Sequence, residues 1–383
     1  MPIPYYRDIV GQEEVIHHLT TLVEEDRLPH AILLAGEEGG EALPLALALA
    51  RHILCEKKSG GGEACGHCSS CHRIDRGLEH SDLALVYPIV RQDEKSTSEL
   101  YFKSFQKLVM EQKRFTEREW RTLMNAKNKQ LQMTVAEAER LIHFASLRSF
   151  GGGHQVILIW MPEKMRQETA NKLLKLLEEP PQGVIFIAVS HQPEALLSTI
   201  RSRLQRVNIP AIPEKKLVEH LIATGTPTAK AEEIGHLAQG NLYRAEQLLR
   251  GTESEDSFGA ALDLLLLPTQ RDPRLFLERA TDLSKQDRPE VLALLEELPL
   301  VLREALALRY GDASVSYIPA HHRSGIERLS KELLPSLYPT LLEDLDAAQQ
   351  EVRQNGSIKM ILFDFLINTA QLYAQSQRVS RTK

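Results

Sequence analysis

All four cysteines of this sequence lie within one segment of 17 residues. Cys65, Cys68 and Cys71 form two overlapping Cys-x2-Cys steps, and Cys55 stands ten positions before the first of them. This spacing lets a tight turn point thiolates at one metal ion, and tetrahedral zinc takes four such ligands. The pattern predicts a structural zinc site, because four protein ligands leave no open position for water or substrate.

Glycines in the same segment favour a metal site, since a chain that wraps an ion needs tight turns and left-handed conformations. They are Gly60, Gly61, Gly62 and Gly66. The alternatives are disulfides, which form in oxidising compartments, and a redox dithiol, which does not require four cysteines beside a run of glycines. His67 and His72 are further candidate ligands, although the sequence favours the cysteines.

A second segment has the layout of a phosphate-binding loop but lacks its chemical groups. The apolar run 31–35 predicts a strand, a helical pattern follows the loop, and the loop contains Gly36, Gly39 and Gly40. A working loop ends in glycine, lysine and then serine or threonine; the lysine contacts the terminal phosphates and the hydroxyl holds magnesium. Here those three positions are Glu41, Ala42 and Leu43.

Other residues around this loop also argue against nucleotide binding. Glu37, Glu38 and Glu41 would place negative charge beside a polyphosphate, at a helix N-terminus that normally attracts anions. A later apolar run ends in Trp160 and Met161, where an ATPase presents an aspartate for magnesium and a glutamate for water. We therefore predict that the chain does not bind ATP in the usual mode. Taken alone, the glycines also fit an ordinary strand-to-helix turn.

The pattern of the remaining residues indicates which elements hold these segments. Short apolar runs predict five strands, and helical stretches between most of them indicate a parallel sheet with crossover helices. The strands are predicted at Ala31–Ala35, Leu83–Tyr87, Val156–Ile159, Val184–Val189 and Val207–Ile209. Helices are predicted at Glu13–Glu25, after the capping box Thr134-Val-Ala-Glu137, and at Met165–Leu177 before two prolines.

After Pro210 the strand signals stop and the sequence becomes helical. We expect an α/β domain at 1–210, a small helical domain at 211–250 and a leucine-rich helical domain at 251–383. The long helical stretches of the last domain are Phe258–Leu267, Pro289–Tyr310, Glu332–Asn355 and Ile358–Gln375. Periodicity alone leaves open whether these helices form a private core or an interface with neighbouring subunits.

Residues 91–130 do not follow the pattern of the α/β domain around them, and we interpret them as an insertion. Between Tyr101 and Gln130, eight lysines or arginines stand against three glutamates, with aromatic residues among them. Such a mixture could follow a phosphate backbone and stack on bases. The sequence favours the alternative, which is a solvated helical excursion on the surface.

Composition narrows the class of protein. The chain has 383 residues, 43% of them hydrophobic and 26% charged, which is typical of a folded globular protein rather than a disordered one. Its net charge of −6 does not fit a stand-alone nucleic-acid binder. The sequence contains neither a run of about 18 apolar residues nor a leader-like N-terminus, so we expect a cytoplasmic protein without a membrane segment.

Several stretches along residues 5–250 carry a family resemblance. They are Ile9-Val-Gly-Gln12, Leu28-Pro-His-Ala31, the four cysteines, Asn171-Lys-Leu-Leu-Lys-Leu-Leu-Glu-Glu-Pro180 and Thr199-Ile-Arg-Ser-Arg203. In this order they resemble the delta-prime and gamma/tau family of bacterial DNA polymerase III clamp-loader subunits, which are relatives of replication factor C. The resemblance implies an AAA+ module with zinc in its sheet domain, a helical lid, and a collar domain that joins five subunits in a ring.

The resemblance also implies a role for one arginine. In the family, a Ser-Arg-Cys motif carries an arginine that reaches the ATP of the adjacent subunit, and the matching residues here are Ser202, Arg203 and Leu204. A guanidinium supplied in this way stabilises charge on the transferring phosphoryl group. Arg203 is therefore the candidate arginine finger, and the alternative is an ordinary surface ion pair.

The sequence departs from the hydrolysing members of the family in a consistent direction. Leu204 replaces the cysteine of the motif, and Tyr243 stands where the lid motif Gly-x-x-Arg has its arginine. The lysine of the phosphate loop and both acidic residues after the later strand are lost as well. With Arg203 kept, these losses favour the delta-prime branch.

The resemblance then implies a subunit that does not hydrolyse ATP itself, within a DNA polymerase holoenzyme. It would support ATP-dependent loading of a sliding clamp onto primed DNA. The implied partners are gamma/tau-like ATPases and delta in a hetero-pentamer and, through that complex, the clamp and the primer-template DNA. Two alternatives remain open: an ATP-hydrolysing gamma/tau-like motor subunit, and a zinc-stabilised module that binds DNA by itself.

Overall fold

The computed structural model describes residues 3–57, 62–126, 129–150, 153–250, 255–310 and 322–381. The chain divides into two compact units, Met1–Glu246 and Gln247–Lys383. Most of the predicted lid, residues 211–246, belongs to the first of these units. The finer division into three domains stays a prediction. None of the described helices is both long enough and apolar enough to cross a membrane.

A five-stranded parallel sheet forms the centre of the first unit, which confirms the predicted α/β class. The strands in the described part of the chain are β1 (Ala31–Ala35), β2 (Leu83–Val86), β3 (Ile89–Val90), β4 (Leu131–Gln132), β5 (Gln155–Trp160), β6 (Val184–Ser190) and β7 (Gln205–Asn208). The parallel sheet has the order β2-β5-β6-β1-β7, whereas β3 and β4 pair separately and antiparallel. All five predicted strands are present, and their ends differ from the predictions by at most two residues.

The central strands explain why the sequence shows unbroken apolar runs. Strands β1, β5 and β6 are buried along their whole length. A parallel sheet is covered by helices on both faces, so both sets of side chains must be apolar. Because parallel strands end at the same edge of a sheet, the loop after β1 and the residues after β5 lie at that edge together.

Among the described residues up to 250, the helices before β7 pack around this sheet, and three more helices follow β7. They are α1 (Glu13–Glu24), α2 (Ala42–Leu54), α3 (Ser69–Asp75), α4 (Phe102–Glu111), α5 (Glu117–Leu123), α6 (Val135–Ser146), α7 (Gln167–Glu178), α8 (Ser198–Arg201), α9 (Glu214–Ala223), α10 (Thr228–Leu237) and α11 (Leu242–Arg250). Helix α2, which follows the phosphate-type loop, is buried at every residue. The first unit is therefore built around this helix and the sheet.

Helix α6 begins where the sequence predicted, but only half of the predicted capping box forms. The Thr134 hydroxyl accepts a hydrogen bond from the Glu137 amide at 3.3 Å. The Glu137 carboxylate turns away from the cap and accepts from the Ser98 amide and from Arg140. A long-range contact has therefore taken the side chain that would complete the box.

The prediction of a solvated surface excursion at residues 91–130 is wrong. Phe105 and Trp120 are fully buried and Phe115 nearly so, and all three belong to the main core of the first unit. The Phe115 and Trp160 rings meet edge to face with centroids 5.1 Å apart. The same burial rules out the stacking of bases on these three rings. Helices α4 and α5 direct their aromatic side chains inward, where the apolar surface removed from water stabilises them.

The second unit is helical, as predicted. Its helices are α12 (Glu255–Leu266), α13 (Pro273–Leu283), α14 (Arg288–Tyr310), α15 (Arg323–Glu332), α16 (Tyr338–Arg353) and α17 (Ile358–Arg381). The predicted stretch Glu332–Asn355 is not one helix, because Pro335 begins a short 3-10 turn between α15 and α16. The helices bury a core of their own, in which the Tyr373 hydroxyl donates to the Leu265 carbonyl at 2.8 Å.

Candidate functional site

The four cysteine sulfurs converge on one point between the end of α2 and the start of α3. Their Sγ atoms all lie within 4.8 Å of one another. The Sγ atoms of Cys55 and Cys68 are 3.9 Å apart, and those of Cys65 and Cys71 are 4.0 Å apart. Four thiolates that surround a zinc ion at about 2.3 Å lie about 3.8 Å from one another. The donor set and its spacing therefore fit a four-coordinate zinc ion.

Local backbone geometry places these sulfurs. Cys68 is the N-cap of α3, and its Sγ accepts from the Cys71 amide at 3.5 Å. Gly66 adopts a left-handed φ of +76°, and a Cβ there would lie 3.0 Å from the Tyr5 hydroxyl. The exposed His67 ring bonds the Cys65 carbonyl, and the potential metal-binding group found among the described residues contains the cysteines alone. Gly60 and Gly61 lie outside the described residues.

A buried arginine fastens this cysteine module to the rest of the first unit. The Arg51 side chain is fully buried and donates to the Ile3 carbonyl at 2.9 Å and to Asp75 at 2.6 Å. Its guanidinium also stacks on the Tyr5 ring at 3.9 Å from the centroid. Helix α2, helix α3 and the N-terminal segment are thereby joined at one point.

The loop between β1 and α2 keeps the turn of a phosphate-binding loop but has no room for a phosphate chain. Gly39 takes a left-handed φ of +72°. The cavity beside the loop measures about 20 Å³, and Arg114, Phe115 and Trp160 line it together with the loop. A cavity of this measured size holds about one water molecule. The cavity therefore leaves no space for the phosphate chain of a nucleoside triphosphate in this conformation.

An ion pair occupies the N-terminus of α2, the position at which a working phosphate-binding loop holds phosphate. Arg114 donates through Nε and Nη2 to Glu41 Oε1 at 3.0 and 2.8 Å, and through Nη2 to Glu41 Oε2 at 2.9 Å. Only 4% of the Arg114 side chain and 1% of the Glu41 side chain are exposed. The Glu41 carboxylate thus supplies the anion at this helix N-terminus, and the chain itself supplies the cation.

A second acidic residue of the loop is also enclosed by the chain. The Glu38 carboxylate accepts from the Glu117 amide at the start of α5. Burial raises the pKa of Glu38 to about 7, an effect that the Glu117 amide and the nearby Lys164 oppose. The Lys164 ammonium lies 3.0 Å from the Glu117 carboxylate. The region after β5 is thereby linked to α5.

The side chains of Trp160 and Met161, at the end of β5, cannot hold magnesium. Trp160 and Met161 are 4% and 0% exposed and belong to the main core. Met161 has a left-handed φ of 60°, and a short turn at Pro162–Lys164 follows. Both side chains therefore pack in the core at the position where the sequence predicted a degenerate metal site.

The lid segment meets the loop through Tyr243 and Asn241. A Cβ on Gly39 would come within 2.9 Å of the Tyr243 ring, so the ring packs directly on the loop. The Tyr243 hydroxyl donates to Glu119 of α5. The Asn241 side-chain amide donates to the Glu38 carbonyl at 2.9 Å. Tyr243, which the sequence predicted to replace the arginine of a lid motif, thus has a hydrogen-bond partner of its own.

Arg203 lies in the turn between α8 and β7, and its side chain is 29% exposed. Its Nε donates to Glu178 Oε1 at 2.9 Å, and its Nη2 bonds the same carboxylate. Its Nη1 donates to the Thr199 carbonyl at 2.6 Å. Among the described residues, those that line the cavity beside the loop between β1 and α2 do not include Arg203. Leu204, in the position of the motif's cysteine, is buried in the sheet core.

Comparison with known proteins identifies the family. A family model described as DNA polymerase III, delta subunit, matches residues 11–213. The chain belongs to this family. The DNA polymerase III subunit delta' of Bacillus subtilis is 26% identical over 304 residues, which cover 79% of each chain. The delta' subunit of Escherichia coli is 25% identical over 350 residues, which cover 88% of each chain.

Relatives named tau/gamma and tau also match in sequence, which confirms the predicted resemblance to delta-prime and gamma/tau. The DNA polymerase III subunit tau of Escherichia coli is 25% identical over 356 residues, which cover 88% of this chain and 48% of tau. This chain therefore spans about half the length of tau but most of the length of the two delta' relatives. A solved gamma subunit-related protein from Thermotoga maritima covers 94% of this chain and 99% of its own at 15% identity, with a TM-score of 0.33.

Several residues of the site could not be found by reading the sequence. Arg114 pairs with the Glu41 carboxylate, 73 positions away in the sequence, so no local sequence pattern predicts the pair. One signal was present: Thr116-Glu-Arg-Glu119 has the form of a capping box, and the structure shows that box at the start of α5. Recognising it would have predicted a helix at α5, although not the partners of that helix.

Proposed function

We propose that this protein is a delta-prime-like subunit of the DNA polymerase III clamp loader that does not hydrolyse ATP. In this role it supports ATP-dependent loading of the sliding clamp onto primed DNA. The observation that carries the proposal is the Arg114–Glu41 pair, which fills the phosphate position of the loop. The family membership of the chain supports the assignment to the complex.

Loss of the cis ATPase groups supports a subunit without hydrolysis of its own. Trp160 and Met161 are committed to the core, and Ala42 replaces the lysine of the loop. A motor subunit needs that lysine, a magnesium ligand and a residue that orients water. The gamma/tau-like alternative is therefore disfavoured. The buried aromatic rings likewise disfavour a module that binds DNA by itself through residues 91–130.

In the proposed complex, Arg203 acts on the ATP of a neighbouring subunit. A guanidinium supplied in trans stabilises the charge that develops on the transferring phosphoryl group. The Glu178 carboxylate and the Thr199 carbonyl fix the guanidinium near the surface. Such exposed contacts are weak enough to be exchanged for a phosphate, because exposed ion pairs contribute only about 0–1 kcal/mol.

The four cysteines are proposed to hold one structural zinc ion. Cys55, Cys65, Cys68 and Cys71 would be its ligands. The ion would fix the turn between α2 and α3 and would leave no open position for catalysis. Within the chain, residues 1–210 are proposed as the AAA+ sheet domain, 211–250 as the lid and 251–383 as the collar. The proposed partners are gamma/tau-like ATPases and delta, in a cytoplasmic hetero-pentamer.

The test is ATP turnover by a complex reconstituted from this chain and the motor, delta and clamp subunits of the same organism, with primed DNA. Arg203→Ala should lower the stimulated turnover at least tenfold while the complex still assembles. Arg206→Ala is the matched control, since Arg206 lies on β7 and pairs with Glu194 at the surface. Equal turnover in the wild-type and Arg203→Ala complexes would leave the chain with an architectural role alone.

A further inference from the structure

We infer that residues 113–119 are an internal ligand of the former nucleotide site and hold the lid in place without ATP. This inference concerns the lid and does not depend on the proposed role of Arg203. It assigns a function to the segment that the sequence left as an unexplained insertion. The evidence lies in the contacts that this segment makes with four separate parts of the first unit.

The first contact is with the loop that would cradle phosphates. The buried Arg114 guanidinium donates to both carboxylate oxygens of Glu41, and its Nη2 also donates to the Asp8 carbonyl at 3.3 Å. The neighbouring Lys113 ammonium lies 3.3 Å from the Asp8 carboxylate. The segment thus joins the loop to the N-terminal part of the chain through charged groups.

The second set of contacts joins the loop to the end of β5 and the region that follows it. The Glu117 amide donates to Glu38, and the Glu117 carboxylate pairs with Lys164 at 3.0 Å. The same carboxylate accepts from Arg121 at 2.7 Å, one turn further along α5. Phe115, between Arg114 and this turn, packs against Trp160. The segment therefore closes the space between the loop and the end of β5.

The third contact is with the lid. Glu119 accepts from the Tyr243 hydroxyl, while Arg114 Nη1 lies 3.9 Å from Glu246 on the same helix, α11. The Tyr243 ring also packs on Gly39 of the loop. The segment and the loop together hold α11 from two directions.

Through these contacts, residues 113–119 lie where a bound nucleotide would lie. A nucleotide in a site of this kind would connect the loop after β1, the residues after β5 and the lid. Here the chain makes all three connections with its own side chains, and the central ones are buried. Because a ligand stabilises the conformation that it binds, a ligand built into the chain holds that conformation at all times. The lid of this subunit is then fixed whether or not ATP is present.

Hydrogen exchange measured by mass spectrometry on the full-length chain tests the inference. Tyr243→Phe removes one hydroxyl and keeps the ring, and Glu119→Gln removes the charge but keeps the capping group of α5. Tyr243→Phe should speed exchange of amides in α10 and α11 by about tenfold, since a hydrogen bond to a charged group is lost. Glu119→Gln should speed it less, because its side-chain amide can still bond the Tyr243 hydroxyl. The double variant should exchange no faster than Tyr243→Phe alone, because both changes act on the same interaction.

Tyr101→Phe is the matched control, because the Tyr101 hydroxyl bonds Gln92 and does not contact the lid. It should leave exchange in α10 and α11 as it is in the wild type. Magnesium-ATP added to the wild-type chain should also leave that exchange unchanged. Unchanged exchange in Tyr243→Phe, effects that multiply in the double variant, or protection of the wild-type lid by ATP would each overturn the inference.

Discussion

Arg114 and Glu41 form a bidentate ion pair at the N-terminus of α2, with three N···O distances of 3.0, 2.8 and 2.9 Å and almost no exposure of either side chain. A buried pair of this kind stabilises little compared with apolar residues, but breaking it leaves one charge without a partner. The observed conformation of the loop between β1 and α2 therefore requires both residues of the pair.

Removal of the cation should destabilise the first unit strongly. Arg114→Met leaves the Glu41 carboxylate buried without its partner, so we expect the free energy of unfolding to fall by about 3–5 kcal/mol. Arg114→Met combined with Glu41→Gln should recover part of that loss, since the uncompensated charge is gone. Urea unfolding followed by tryptophan fluorescence reports on this unit, because Trp120 and Trp160 are the two tryptophans of the chain.

Arg206→Met is the control for that measurement. Arg206 pairs with Glu194 in an exposed position, where a loss of about 0–1 kcal/mol is expected. If Arg114→Met were no less stable than Arg206→Met, the ion pair would not hold the loop closed.

The stability of the first unit should depend on pH through Glu38. Burial raises the pKa of Glu38 from 4.5 to about 7, so the folded chain keeps a proton that the unfolded chain releases. The stability that this proton provides is present below pH 4.5 and is lost as the pH rises through 7. Glu38→Gln cannot ionise, and its amide oxygen can still accept from Glu117. It should therefore gain about 1–3 kcal/mol relative to wild type between pH 5 and pH 8.

Urea unfolding of both chains at several pH values gives this difference directly. Glu37→Gln serves as the control, because Glu37 lies in the same loop but is exposed. A difference between Glu38→Gln and wild type that stays constant from pH 5 to pH 8 would show that Glu38 is ionised in the folded chain throughout.

Purified protein should contain one zinc ion per chain that survives dialysis. Cys68→Ser removes one of four ligands, so the metal content measured by plasma mass spectrometry should fall well below one, and the melting temperature should fall with it. His67→Ala should keep the full metal content, since its exposed ring bonds the Cys65 carbonyl. If His67→Ala lost zinc and Cys68→Ser kept it, His67 rather than Cys68 would be the ligand, and the proposed set of four cysteines would be wrong.

The local patterns of the sequence predicted most of the fold. Each apolar run that predicted a strand is a strand, because a strand buried on both faces must be apolar throughout. The cysteine spacing predicted sulfurs that do converge, since ligands a few residues apart can meet through local turns alone. The long stretch Glu332–Asn355 was predicted less well, because proline at its start divides it.

The sequence by itself determined the family, the parallel sheet and the cysteine cluster, and it predicted the loss of the ATPase groups. Each of these depends on residue types at short, fixed spacings. The tertiary structure alone decided which side chains fill the space beside the loop between β1 and α2. Arg114 reaches Glu41, and Glu119 reaches Tyr243, across 73 and 124 positions of the chain. Helices α4 and α5 look solvated by composition, yet packing turns their aromatic rings inward. Contacts across such distances follow from how the elements pack, and no local pattern records them.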